Sequence, residues 1–207
     1  MGVSDFLALP FVEIEIRLGT ILMDKFDTSI DKKYFEKIKE SLEQSNWECV
    51  VCKNTVEYIE KSEKRSSIKF VSDITGKETK EIVLKENVLT EDHQLSFSPF
   101  DVRYSVNQEF NLKSQHFLKN EDSFIRNKVR TSFISKNFKY DLTLVNENNE
   151  GVVKTKYEIE IELLVSEDTL NWESKYLNDF LECKVYDLVN IVEPMERSKF
   201  KINWVKK

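Results

Sequence analysis

Residues 157–164 read Tyr-Glu-Ile-Glu-Ile-Glu-Leu-Leu. Glu158, Glu160 and Glu162 alternate with Ile159, Ile161 and Leu163, a period of two that specifies a strand with one carboxylate face and one apolar face. Same-face neighbours on a strand stand ~7 Å apart, so three like charges repel along the row. A strand on a solvated face ordinarily mixes signs, because opposite charges pair across strands. This face therefore looks at a cation or at basic strands.

Two other stretches carry the same pattern. Residues 11–18 place Glu13, Glu15 and Arg17 on one parity and Val12, Ile14, Ile16 and Leu18 on the other. Residues 125–130 place Arg126, Lys128 and Arg130 on one parity, with Ile125 and Val129 opposite. Two acidic strands and one basic strand each have an apolar back. Charged faces sorted by sign in this way suit an anionic, metal-dependent substrate.

The 207 residues suffice for one large or two small domains with a substantial core. At 40% hydrophobic and 33% charged, the chain reads as globular rather than disordered. A net charge of −6 argues against a protein that coats nucleic acid by bulk positive charge, and leaves room for a local basic pocket. Cys49, Cys52 and Cys183 make an odd, sparse set, which fits a reducing, intracellular compartment. The apolar run at 6–12 is interrupted by Pro10 and stopped by Glu13, too short to span a bilayer, and no membrane partner is expected.

Along the chain, residues 11–18 form the first strand, with Gly19 ending or bending it. Thr28, Ser29 and Asp31 precede an amphipathic helix whose apolar face is Phe35, Ile38 and Leu42, stopping near Asn46. Strands are expected over 47–60, 65–71 and 79–88, the last two joined by a turn at 73–77. Further strands are expected over 95–97 and 101–110. A polar loop at 111–122 leads to strands over 124–134 and 138–145. A turn at 146–151 opens the glutamate strand, 152–165. Trp172, Tyr176, Phe180, Leu181, Val185, Leu188 and Val189 then follow helical spacing until Pro194, and 200–204 forms a last strand or an ordered cap.

Eight or nine strands joined by short turns, with two main helices and no βαβ rhythm, predict an antiparallel sheet. If the helices cover the apolar backs, the charged faces turn inward, and a closed antiparallel barrel with a charged lumen results. An open sheet with one solvated charged face is the alternative. Three sign-sorted strands favour the lumen.

The residues then resemble the metal-dependent RNA 5′-triphosphatases of fungi, protozoa and large DNA viruses, within the triphosphate tunnel metalloenzymes of mRNA capping. The likeness rests on Val12-Glu13-Ile14-Glu15-Ile16-Arg17-Leu18-Gly19 and Tyr157-Glu158-Ile159-Glu160-Ile161-Glu162-Leu163. Between these lie the strand from Asp101 to Glu109, the basic strand Ile125-Arg126-Asn127-Lys128-Val129-Arg130, and Tyr140-Asp141-Leu142-Thr143. It implies a mainly β fold, a closed eight-stranded antiparallel barrel with helices packed outside, as one domain over 1–207, alone or as the N-terminal part of a larger capping enzyme, working in the nucleus, or in host cytoplasm or virion for a viral protein.

By the same resemblance Glu13, Glu15 and Glu162 would hold Mg²⁺ or Mn²⁺, hard cations that prefer carboxylate oxygen. Arg17, Lys69, Lys85, Arg103, Arg126, Lys128 and Arg130 would line the triphosphate path, arginine as a planar fork and lysine as a point charge. Lys69 stands where the family usually has arginine. Glu109, Glu158 and Glu160 would orient water or the basic side chains, with Lys128 and Arg130 in the catalytic set, and Asp141 would anchor a base. The implied reaction removes the γ-phosphate of 5′-triphosphate RNA, and NTP with Mn²⁺. A guanylyltransferase domain or subunit is the implied partner, since no Lys-x-Asp-Gly motif is present. Alternatives are an inorganic or small-molecule triphosphatase of the same fold and a non-catalytic polyphosphate-binding module.

Other chemistries lack their signatures. Cys49 and Cys52 have no second pair for zinc and read as core cysteines. His93 and His116 read as surface residues. The four glycines form no phosphate loop.

Overall fold

The computed structural model describes residues 3–59, 65–72, 76–96, 98–112, 124–149, 152–202 and 204. Nine strands appear among them: β1 (Val12–Leu22), β2 (Lys25–Asp27), β3 (Cys49–Ile59), β4 (Arg65–Ser72), β5 (Glu78–His93), β6 (Asp101–Asn111), β7 (Phe124–Ser135), β8 (Phe138–Asn149) and β9 (Val152–Leu163). Their order is β2-β1-β6-β5-β4-β3-β7-β8-β9, and β1 also pairs with β9. That pairing closes eight strands into a ring, all antiparallel, and leaves β2 attached to the end of β1. The closed eight-stranded barrel expected from the strand patterns is therefore present.

The alternation of β1 and β9 decides which side is which. Ile14, Ile16, Leu18, Ile159 and Ile161 are fully buried on the outer face, joined there by Val102, Tyr104 and Val106 of β6 and Leu142 of β8. Two helices cover this face: α1 (Lys32–Glu43) and α3 (Ser174–Val192), with a single turn, α2 (Glu167–Leu170), before the latter. Asp31 caps α1 by accepting from the Lys33 amide at 2.9 Å, and Phe35, Ile38 and Leu42 face the core as the spacing predicts. The Phe35 ring meets Tyr157 of β9 at 5.2 Å between centroids. From α3, Leu177, Leu181, Val185, Leu188 and Val189 are fully buried. Each such side chain contributes roughly 1.5–3 kcal/mol. The hydrophobic core thus lies outside the barrel, between sheet and helices, which forces the opposite parity of the strands into the lumen.

Several local expectations change. Gly19 does not end β1, which runs on to Leu22. Its role is close approach: a Cβ there would lie 2.2 Å from the Asp27 carbonyl oxygen and 2.6 Å from the Phe26 ring, so only glycine lets β2 fold back onto β1. Short β2 has no period to read and was not anticipated. The strand expected to stop at Val88 continues to His93, because a bulge between Asn87 and Leu89 absorbs the break in alternation. Leu95 and Ser96 lie outside any strand, and Phe97 is not described. Cys49 and Cys52 are exposed rather than in the core, on a part of the barrel where Val50 and Val129 are also about half exposed.

His93 is buried rather than on the surface, with its ring against Trp204 at 5.4 Å. The described residues after Pro194 form an ordered cap rather than a strand. Buried Glu182 of α3 accepts from Arg197 at 3.0 Å and from the Ile202 amide at 2.9 Å, and Phe200 and Ile202 are buried. The expected turn at 73–77 falls largely outside the described residues, as do His116, most of the loop at 111–122 and Gly151.

Candidate active site

Inside the barrel lies a chamber of about 190 Å³. Among the described residues, the twelve side chains lining it are all charged, six glutamates and six bases. Strand register sorts them along the axis. Glu15 of β1 stands directly opposite Glu162 of β9, and Glu13 is two residues along the same face. Glu109 of β6 is opposite Lys85 of β5, and Lys139 of β8 is opposite Glu162. Four glutamates, Glu13, Glu15, Glu109 and Glu162, therefore gather at one end with two lysines. Beyond them come Arg17, Arg130, Lys128 and Arg126, with Glu160 and Glu57.

At the acidic end, the Lys85 ammonium touches Glu13 and lies 3.4 Å from both Glu15 and Glu109. Burial holds the Lys85 ammonium back, but Glu15, Glu13 and Glu109 outweigh it and its pKa rises. Burial, and then Glu15, push Glu13 up to about 7 against the pull of Lys85. Glu162 is raised by burial too, although Lys139 lies 2.8 Å away and opposes the shift. Asn107 of β6 donates to Glu15 at 3.3 Å. Among the described residues no three carboxylates converge as a ligand cluster, and the Lys85 and Lys139 ammonium groups contact the glutamates here. The donor set nevertheless suits a hard divalent cation: adjacent carboxylates on facing strands, of which Glu13 and Glu162 are raised by burial and by acidic neighbours against the pull of a nearby lysine.

The other part of the chamber is paired throughout. Glu160 takes Arg17 at 2.9 Å and Arg130 at 3.1 Å. Burial raises its carboxyl, but Arg17 and Arg130 pull harder and hold it below the usual carboxylate range. Fully buried Asp141 receives Arg130 at 3.0 Å, Lys139 at 3.2 Å and the Ser132 hydroxyl. Asp141 is thus the anchor for two chamber bases. Arg126 bridges Glu158 at 2.6 Å and Glu147 at 3.2 Å. Lys128 meets Glu57 of β3 at 2.5 Å.

Not every expected residue reaches the chamber. Glu158 shares the glutamate face but lies behind Arg126, its Oε1 also accepting from Thr28 at 3.0 Å. Arg103 is set aside: Asp92, its register partner across the bulged β5, grips the guanidinium at 2.7 and 2.9 Å, and the Phe26 ring of β2 lies 4.7 Å from it. The competing pair and the fold-back strand were invisible in the alternation. Lys69 sits in β4 opposite Glu57 and Glu81, and its side chain is outside what the structure describes.

Sequence reasoning missed Glu57 and Lys139 as chamber residues. The parity of Glu57 with Thr55 and of Lys139 with Asp141 was a readable signal, but an isolated charge on a strand is ordinarily a solvated one.

The family described as mRNA capping enzyme, beta chain, an mRNA triphosphatase family, matches residues 23–198. The chain belongs to this family. As an RNA 5′-triphosphatase of mRNA capping, it shares its fold with solved relatives at low identity. The Pct1 RNA triphosphatase of S. pombe superposes with a TM-score of 0.67 at 17% identity, over 91% of this chain and 85% of that one. The Mimivirus capping enzyme triphosphatase gives 0.63 at 15% identity, over 91% and 95%. Among curated proteins no sequence matches significantly. The matched span of the RNA triphosphatase begins after Glu13, Glu15 and Arg17, so only the barrel closure between β1 and β9 joins these three to Glu160 and Glu162.

Proposed function

We propose that the chamber hydrolyses the γ-phosphate of 5′-triphosphate RNA in a reaction that depends on Mg²⁺ or Mn²⁺, leaving a diphosphate end. The observation that carries this reading is the enclosed, wholly charged lining, with glutamates gathered at one end and bases along the rest. Phosphoryl transfer asks little covalent chemistry of a protein; positioning and electrostatic stabilisation supply the catalysis. Arg17, Arg130, Lys128 and Arg126 would bind phosphate oxygens. Glu160 and Asp141 hold the two guanidinium groups of Arg17 and Arg130 in place before substrate arrives, so little reorganisation remains at the transition state. Glu109, beside Lys85 at the acidic end, would orient the attacking water. Glu13, Glu15 and Glu162 would hold the divalent cation, which when bound neutralises charge on the transferred group.

The diphosphate end is the substrate class that a guanylyl-transfer domain or subunit consumes, and such a partner completes the proposal. The test is phosphate release from triphosphate-ended RNA, from free NTP with Mn²⁺ and from tripolyphosphate. Metal-dependent release from RNA is expected. Faster release from tripolyphosphate than from RNA would move the assignment to a small-molecule triphosphatase, and no release from any of the three would leave a binding module.

A further inference from the structure

We propose that Glu57 is a positioning residue for the reaction: its carboxylate keeps the Lys128 ammonium charged and aimed into the chamber, ready for a phosphate oxygen. This rests on the triphosphatase reading above and adds a residue from outside the glutamate strands.

The geometry is specific. Glu57 lies on β3, whose register puts it opposite Arg126 of β7 and Lys69 of β4. Lys128, two residues on from Arg126, is opposite Thr55, so the Glu57–Lys128 contact is a diagonal one across the β3–β7 pair. Its length is 2.5 Å, and the two side chains are 4% and 13% exposed. Both line the chamber.

Lys128 sits in an unfavourable place for a cation. Arg126 and Arg130 flank it on its own strand, Val145 faces it from β8, and Glu160 of β9 is near enough to feel its charge. Burial, with Arg126 and Arg130 adding to it, brings the Lys128 ammonium down to about 8, and Glu57 works against that shift. The two arginines stay charged at any working pH whatever their surroundings, whereas a lysine does not. Among the three bases of β7, Lys128 is therefore the one whose charge depends on its partner. The sign follows: without the Glu57 charge the ammonium deprotonates at lower pH, and the phosphate contact is lost first in alkaline solution.

The experiment compares kcat/KM on triphosphate-ended RNA for wild type, Glu57→Gln and the double variant Glu57→Gln/Lys128→Arg across pH. In parallel, the Lys128 side chain is titrated by NMR without substrate. In Glu57→Gln the alkaline fall should begin about one pH unit earlier, a deficit of about fivefold at about pH 8 that approaches about tenfold in more alkaline solution and vanishes towards about pH 6. The double variant, with a base that stays protonated, should abolish that alkaline fall. An equal loss at every pH, or a Lys128 titration that is the same with and without the Glu57 charge, would overturn the proposal. Wild type that releases no phosphate from RNA would remove the triphosphatase reading and the catalytic role together, while the NMR titration would still decide the pairing.

Discussion

Glu160 and Glu162 stand two residues apart on one face of β9, and their carboxyl groups are pushed in opposite directions. Burial raises both. Glu160 is then overruled by the guanidinium groups of Arg17 and Arg130, whereas Glu162 has one lysine beside it and Asp141 and Glu160 adding negative charge. The same contrast separates the two parts of the chamber. Around Glu160 the protein supplies enough fixed cations to neutralise its own acids. Around Glu13 and Glu162 burial outweighs the lysine beside each, and Glu13 rises to about 7. Fixed cations make a rigid frame that waits for an anion. Undercompensated carboxylates make a place that a diffusible cation stabilises.

That contrast can be broken from either side. The largest effect should come from Glu162→Ala, which removes a carboxylate from the undercompensated end. Phosphate release should fall about a thousandfold with little change in urea stability; near-normal turnover would end the cation assignment.

Glu160→Gln should do the reverse in kind. It strips the shared partner from two partly buried guanidinium groups, so stability should drop by about 3 kcal/mol, read from urea unfolding. A stable Glu160→Gln variant would mean that Glu15 on Arg17 and Asp141 on Arg130 suffice to hold the two guanidinium groups. Lys128→Ala removes a phosphate-facing charge together with the partner of Glu57, and should slow release about a hundredfold. Unchanged kinetics would take Lys128 out of the substrate path.

The smallest effect sharpens the comparison through pH. Glu13 has a raised folded pKa, so its contribution to stability is fully present below the ordinary carboxylate range and lost as pH rises through about 7. Glu160 is depressed, so its contribution is present above that range and lost as pH falls below it. Metal-free protein should therefore lose stability between about pH 5 and 7 from the acidic end alone. Mg²⁺ or Mn²⁺ at about 100 times its dissociation constant should restore about 2.7 kcal/mol above that window and much less below it, measured by thermal unfolding. Equal stabilisation at both pH values would separate Glu13 from the cation.

Much of the barrel was legible because a strand's alternation is a local property. The faces of β1, β7 and β9 follow from residues two apart, and the helix faces from residues three and four apart. Local reading failed where a distant segment intervened. Nothing near Arg103 announces that a bulge at Val88 will bring Asp92 opposite it, or that Phe26 will fold over it. Glu57 and Lys139 each look like one charge on an ordinary strand until register places them against Lys128 and Glu162.

By itself the sequence determined that each of these strands has one charged and one apolar side, since side-chain direction is set by the backbone two residues at a time. Only the tertiary structure decided which side is enclosed and which acid meets which base. Those outcomes depend on helices covering one face and on β1 closing onto β9, which joins residues more than a hundred positions apart, whose charges interact strongly only once water between them has been displaced.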